Sequence, residues 1–174
     1  VARAYVKRGL PLLDLVEGRL HAFIYCGQPN QVHTALAVAR ENGFLANSTF
    51  VLDTRCWKAA DTVAESGVPV ILTGSQVVTE RDPVTGEEIE TFAPGVFSDA
   101  GVRYAMSSTD SGPHSLWYQA ATAVGQGLDR QTALDSVTRV PADVLGLGDR
   151  VGSLEVGKDG NVLLLTGDPL SVTS

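Results

Sequence analysis

Short apolar runs alternate with longer amphipathic segments along most of the chain, and this alternation constrains the fold more than any other feature. The apolar runs lie at 20–26, 48–52, 68–72 and 102–106, and the first, second and fourth are followed by a segment of helical length. Such alternation is typical of right-handed βαβ crossovers around a parallel sheet. Because the runs are almost continuously apolar, both faces of the sheet should be covered. The sequence therefore predicts an α/β protein.

The segments after the first, second and fourth apolar runs have the spacing of amphipathic helices. Asp129 is expected to cap the helix formed by residues 130–137. The polar stretch from Gly74 to Glu90 carries two turn signals and is predicted to be a long surface excursion. Helices are predicted over the first twenty residues, from Pro29 to Gly43, from Trp57 to Gly67, from Leu116 to Gly127 and over 130–137.

The last 25 residues or so differ in style from the rest. Turn glycines recur at short intervals around two strand-like runs, and no helical pattern is present. This pattern predicts antiparallel β structure outside the α/β unit. We therefore divide the chain into residues 1–148 and residues 149–174.

Charge and composition exclude several kinds of partner. The chain has 13 Lys and Arg against 20 Asp and Glu, for a formal charge of −7. Without a basic run to displace counterions, nucleic acid and an anionic membrane surface are not expected partners. No apolar stretch approaches the ~20 residues of a membrane helix. We expect a soluble protein, cytoplasmic or exported, and the absence of an initial Met predicts a processed chain or a piece of a longer one.

Asp110 is the strongest single candidate for chemistry. It follows an apolar run directly, within Ser107-Ser108-Thr109-Asp110, and it precedes a helix. Ligands and catalytic groups of parallel α/β proteins gather at the carboxyl ends of the strands. The spacing fits a helix N-cap equally well. His114 shares this strand-end segment and is the histidine best placed to face a site.

The other histidines and the two cysteines are weaker candidates. None of the three histidines shows the short spacing of a metal site, and His21 in the first strand is more typical of a satisfied structural residue. Cys26 and Cys56 each follow a strand, so a thiol pair, a disulfide and two soft metal ligands are all open. Two unrelated half-buried thiols are the more common arrangement.

The C-terminal sequence resembles a known family. Residues 141–147 read PADVLGL and residues 149–170 read DRVGSLEVGKDGNVLLLTGDPL. They resemble the end of amidohydrolase-superfamily proteins, in particular the imidazolonepropionase-like branch. Upstream, AGVRYAMSSTD resembles the family's eighth barrel strand and its catalytic aspartate. The resemblance implies the C-terminal half of a (β/α)8 TIM-type barrel, strands five to eight, plus strands of an attached β-sandwich.

The resemblance also implies a chemistry. In this family a metal-activated water attacks an amide, cyclic amide or amidine carbon, and the aspartate after strand eight shuttles the proton. That role, and that of a metal ligand, would fall to Asp110. The family's metal histidines fall at Tyr25 and near Asp53, so the ligand set is degenerate. An alternative alignment makes His21 a ligand, and Tyr25 and His114 become candidate substrate contacts.

A half-barrel also implies a partner. We expect a companion chain or fragment that supplies barrel strands one to four, in an oligomeric assembly acting on a small molecule. A zinc or iron ion would be held mainly by that companion. The alternative to an enzyme is a non-catalytic amidohydrolase-like subunit that completes a barrel or scaffolds an assembly.

Overall fold

The computed structural model describes residues 11–108, 112 and 115–171, and it confirms an α/β fold with a parallel sheet. Helix α1 covers residues 11–16, residues 17–20 form a turn instead of the predicted helix, and residues 1–10, including Tyr5, lie outside the described residues. The strands of the described ranges are β1 (Ala22–Cys26), β2 (Ser48–Asp53), β3 (Val70–Thr73), β4 (Val77–Arg81), β5 (Glu88–Phe92) and β6 (Tyr104–Met106).

The described helices after α1 follow β1, β2, β5 and β6, and those after β1, β2 and β6 agree with the alternating pattern, although α7 was not predicted. They are α2 (Pro29–Glu41), α3 (Ala60–Ser66), α4 (Ala93–Asp99), α5 (Ser115–Gly125), α6 (Arg130–Val137) and α7 (Arg139–Val144), with 3-10 segments at Leu45–Asn47 and Thr54–Ala59. The predicted cap of α6 is present, since the Asp129 carboxylate accepts from the backbone N–H of Thr132 at 2.9 Å. Within the described ranges, no helix is both long and apolar enough to cross a bilayer.

Four strands form the main sheet in the order β1-β2-β3-β6, and all neighbouring pairs are parallel. Tyr25, Val51, Ile71 and Ala105 stand in one row across it. Because side chains alternate along a strand, Cys26, Leu52, Leu72 and Met106 form the next row on the other face. A row of neighbouring residues therefore shares one face and one height in the sheet.

One face of the sheet packs against helices and forms the core. Phe50, Leu52 and Val70 are fully covered and belong to the same apolar cluster as Leu36 of α2 and Phe97 of α4. Burying each side chain of this size stabilises the fold by about 1.5–3 kcal/mol. The opposite face, called here the open face, carries Phe23, Tyr25, Val51 and Asp53. Phe23 and Tyr25 remain 53% and 60% exposed there.

The stretch from Gly74 to Glu90 is not the loop that the sequence predicted. Its ends form the antiparallel hairpin β4–β5, in register from Val77 opposite Phe92 to Arg81 opposite Glu88. The Asp82 carboxylate closes the turn by accepting from the N–H groups of Val84 at 2.7 Å and Thr85 at 2.8 Å. Only one strand side chain, Val78, is buried. The sequence did not predict the hairpin because few of its side chains face the core, so its strands are mostly polar and lack an apolar alternation.

A helix that the sequence analysis missed follows the hairpin. Helix α4 begins immediately after β5 and buries Phe97, and it has Pro94 in its first turn, where the missing N–H costs nothing. The Tyr104 hydroxyl donates to the Pro94 carbonyl at 2.9 Å and ties the helix to β6. With seven residues, α4 is too short for a clear periodic pattern.

The C-terminal segment differs from the prediction of antiparallel strands. Residues 149–171 contain turns and irregular chain, and no strand is assigned among them. Leu163 and Leu164 are 87% and 99% exposed, while Leu170 is buried in the core and Arg130 pairs with Asp168 at 2.9 Å. A strand forms only against a partner edge, and no described strand pairs with this segment. The β-sandwich and the domain division at 148 stay predictions.

Candidate functional site

The carboxyl ends of four parallel strands meet at one edge of the sheet, where parallel α/β proteins bind their ligands. Each strand is followed there by polar groups. Tyr25 is the penultimate residue of β1, Asp53 ends β2, Gln76 follows β3, and Ser107 follows β6. We treat this strand-end edge as the candidate site.

Asp110 and His114, the two candidates on the segment after β6, lie outside the described residues. Ser107, which precedes both of them in the sequence, is bound to the sheet. The backbone N–H of Ser107 donates to the Leu72 carbonyl at 2.9 Å, so the ladder continues one residue past β6. Ser107, three residues before Asp110 in the sequence, therefore lies beside the end of β3. The catalytic role of Asp110 and the substrate role of His114 stay predictions.

Asp53 and Arg55 form a tight pair at the end of β2. Nε of Arg55 donates to Oδ1 of Asp53 at 2.8 Å, Nη2 donates to Oδ2 at 3.2 Å, and the Arg55 backbone N–H donates to Oδ1 at 3.0 Å. Partial burial alone would raise the pKa of Asp53, but the hydrogen bonds and charge of Arg55 outweigh it and lower that pKa. The carboxylate is ionised, and both of its oxygens are engaged.

Tyr25 stands on the open face of the same strand-end edge. It is level with Val51, two residues before Asp53 on the neighbouring strand. Its hydroxyl oxygen lies 3.3 Å from the point where a Cβ on Gly27 would stand, so the ring bends over the turn after β1. Tyr25 also contributes, after Asp53, to the raised pKa of Arg55. The structure thus brings Tyr25, Asp53 and Arg55 together.

The two cysteines lie behind this edge as buried free thiols. The Cys56 thiol donates to the backbone carbonyl of Cys26 at 3.3 Å, so the two residues are neighbours, one of the arrangements that the sequence left open, and both are fully buried rather than half-buried. Burial, with smaller contributions from Cys26 and Asp53, raises the pKa of Cys56 to about 12. Burial also raises the pKa of Cys26. Both remain protonated at neutral pH, which does not suit a nucleophile.

His21 lies at the other end of the sheet. It precedes β1, and its Nε2 is 2.8 Å from the Thr49 hydroxyl near the start of β2. Five residues of extended chain separate it from Cys26, or roughly 16 Å. The structure therefore does not bring His21 to the strand-end edge.

The described donors do not fit a metal ion. No group of three or more His, Cys, Asp or Glu residues with metal-binding geometry occurs among them. At the strand-end edge itself, the Asp53 carboxylate is held by Arg55 and the thiols are protonated. A phenol such as that of Tyr25 is a poor ligand for zinc.

Sequence reasoning missed a pair of glutamines at this edge. Nε2 of Gln76 donates to the backbone carbonyl of Gln119 in α5 at 2.8 Å. Nε2 of Gln119 donates in turn to the carbonyl of Ser107 at 3.2 Å. They connect the segment after β3, helix α5 and the end of β6. The available signal was an amide side chain just after the glycine turn that ends β3, and it was obscured by the prediction of a long loop.

Comparison with known proteins points to one family. A profile of the amidohydrolase family matches residues 26–173. The amidohydrolase tasK of Hapsidospora irregularis is 43% identical over 54 residues, which are 31% of this chain and 6% of that protein.

Solved structures agree with the sequence match. An amidohydrolase from Thermotoga maritima superposes with a TM-score of 0.73 at 26% identity, covering 92% of this chain and 41% of that one. Another amidohydrolase structure gives a TM-score of 0.55 at 22% identity, covering 88% of this chain and 39% of that one, which supports the fold alone. The chain thus spans about two fifths of the length of these solved relatives.

Proposed function

Because the chain belongs to the amidohydrolase family, we propose that it takes part in hydrolysing a C–N bond in an amide, cyclic amide or amidine. The observation that carries this proposal is the convergence of four parallel strand ends, bearing Tyr25, Asp53, Gln76 and Ser107, in a fold similar to that of a solved amidohydrolase. The signature over residues 141–170 supports the imidazolonepropionase-like branch.

Asp110 is the proposed proton shuttle. A carboxylate beside the attacking water takes the proton released on attack and gives it to the leaving nitrogen, which splits an otherwise high barrier. Its place after β6 supports this role, because the strand-end edge gathers the other polar groups. Tyr25 and His114 are the proposed substrate contacts.

Amidohydrolases typically bind a divalent metal, but the described residues do not fit one. We therefore propose that zinc or iron, if used, is held mainly by residues outside the described part of the chain, with Asp110 as the ligand that this chain would add. The chemistry such an ion supplies is activation of the attacking water.

The chain's geometry supports a companion that completes a (β/α)8 barrel. β1 and β6 are the outer strands of the described sheet, and an outer strand offers unpaired backbone groups. A groove of about 480 Å³ runs between β1 and α2, lined by Ile24, Tyr25, Ala35 and Val38 among others. Both features suit a neighbouring strand and helix. In this proposal β1, β2, β3 and β6 are strands five to eight of the barrel, and residues 149–174 join an attached β-sandwich.

A second candidate is a non-catalytic subunit that completes a barrel or scaffolds an assembly. The observation that favours it is the lack of a three-donor metal group among the described residues. The two candidates differ in what they predict for metal content and for Asp110.

The test is metal analysis and hydrolysis by the protein purified with whatever chain accompanies it. The enzyme proposal predicts about one zinc or iron per barrel, and at least about 100-fold slower hydrolysis of an amide or lactam panel in Asp110→Asn. Asp149→Asn, an exposed aspartate outside the sheet, is the matched control and should keep full activity. A metal-free preparation with no hydrolysis in any variant would support the non-catalytic subunit instead.

A further inference from the structure

Gln76 lies at the strand-end edge, and the nitrogen and the oxygen of its side-chain amide have different surroundings. Its Nε2 donates to the Gln119 carbonyl at 2.8 Å and lies 3.9 Å from the Met106 sulfur. Both neighbours are acceptors, so the nitrogen must face them. The orientation of the amide is thereby determined, and Oε1 is the amide atom that these two acceptors leave unpaired.

The oxygen lacks a hydrogen-bond donor within the described part of the chain. Oε1 of Gln76 is buried and accepts no hydrogen bond from the described residues. A buried acceptor without a donor is costly to keep, and such an atom needs an explanation. Trp57 Nε1 and Thr122 Oγ1 are also unpaired, but both lie within helical segments. Gln76 lies outside the helices, three residues beyond the end of β3.

The surroundings of Gln76 hold it in place. Gln119, which receives the bond from Gln76, is itself anchored to the Ser107 carbonyl at 3.2 Å and to the Ser115 hydroxyl at 3.3 Å. Ser107 begins the segment that carries Asp110. The unpaired oxygen therefore belongs to a fixed amide network that borders the segment proposed to supply the proton shuttle.

We propose that Oε1 of Gln76 accepts a hydrogen bond from the N–H group of the substrate, so that the site selects amides, lactams and amidines that carry an N–H. This inference rests on the proposed function, because it assigns a specificity residue to the same C–N substrates. Gln76 is a substrate-binding residue here. Its Nε2 maintains the structure, while its Oε1 recognises the ligand.

Two lactams that differ at one position test the proposal. 2-Pyrrolidinone has an N–H, and N-methyl-2-pyrrolidinone does not. Their dissociation constants are measured by NMR titration of the ¹⁵N-labelled protein. One neutral hydrogen bond predicts that 2-pyrrolidinone binds about fivefold tighter. In Gln76→Met this preference should disappear with the affinity for the N-methyl lactam unchanged. Gln126→Met, an exposed glutamine after α5, should keep it.

Equal loss of affinity for both lactams in Gln76→Met would indicate a structural role and overturn the proposal, as would an unchanged preference or no binding to the wild type. If Gln76→Met does not fold, the side-chain amide resonance of Gln76 in the wild type serves instead. It should shift with 2-pyrrolidinone and not with its N-methyl analogue. Hydrolysis is not needed for this readout, so a failure of the proposed enzymatic function would be seen separately.

Discussion

At the scale of single residues, Asp53 and Arg55 determine the charge of the strand-end edge. The Asp53 side chain is 16% exposed and would be costly to ionise there without a cation. Arg55 binds both of its oxygens and is itself 56% exposed. The charges of Asp53 and Arg55 therefore nearly cancel beside Tyr25. Because both oxygens of Asp53 are bound by Arg55, this carboxylate is not free to bind a metal ion.

The lowered pKa of Asp53 makes the pair's stabilisation dependent on pH. A carboxyl group whose folded pKa is depressed stabilises the fold above its unfolded pKa, about 3.9, and this contribution is lost as the pH falls through the folded pKa. We expect Asp53→Asn to lower the free energy of unfolding by about 0.5–1 kcal/mol at pH 7, after allowance for solvent screening.

The measurement is urea unfolding of both proteins between pH 7 and pH 2. The difference between wild type and Asp53→Asn should shrink below pH 4 and vanish at the acid end. Glu65→Gln, at an exposed carboxylate of α3, is the control and should show a smaller effect at pH 7. A deficit that stays constant down to pH 2 would mean that the carboxylate's charge is not what Asp53 contributes.

At the scale of elements, glycine determines where helix α3 ends and β3 can begin. Gly67 has φ of 66° and caps the helix in the left-handed conformation. A Cβ at this position would meet nothing within 4 Å. The constraint is therefore in the backbone alone, since a side chain in this conformation clashes with its own peptide groups.

Gly67→Ala is expected to lower the free energy of unfolding by about 1 kcal/mol, because alanine must adopt a left-handed backbone conformation. Chemical denaturation of the purified variant measures this directly. Gly160→Ala is the matched control, since a Cβ there also meets nothing within 4 Å and its φ is not positive. Equal effects of the two substitutions would contradict the backbone explanation.

At the scale of the whole molecule, several large apolar side chains lie outside the core and are exposed to solvent. Phe23 and Tyr25 stand open on the uncovered face of the sheet, and Leu163 and Leu164 are almost fully exposed near the C-terminus. Phe23 and Tyr25 lie on the same face two residues apart, and an exposed apolar patch marks an interaction site. It supports the proposed companion, which would cover the open face and offer a partner edge to the C-terminal segment.

We therefore expect the chain, purified alone, to self-associate or to melt without cooperativity. Phe23→Ser should reduce the association measured by multi-angle light scattering, because it removes an apolar group from the open face. Val84→Ser removes a valine that is 91% exposed at the hairpin turn and should leave the association unchanged. A monodisperse monomer with a cooperative melt would show that the chain is self-sufficient.

The sequence by itself determined the main sheet and most of its helices. The apolar runs became β1, β2, β3 and β6, and Asp129 caps α6 as its spacing predicted. These features depend on local propensity and on the burial of one face of each element, and the sequence shows both through the spacing of its apolar residues. The family could also be recognised from the sequence, because the signature over 141–170 is a linear motif.

Only the tertiary structure decided the hairpin, helix α4, the irregular C-terminal segment and the chemistry of the strand-end edge. The hairpin and α4 are short and bury few residues, so their periodicity is weak, whereas the strand-like run at 161–165 lacks a described partner edge. Gln76 acquires its role through contacts with Met106 and Gln119, which lie in segments far from it in the chain, whereas Asp53 and Arg55 form a local pair that tertiary structure places beside Tyr25. Hydrogen bonds and buried, unpaired oxygens exist only once those segments meet.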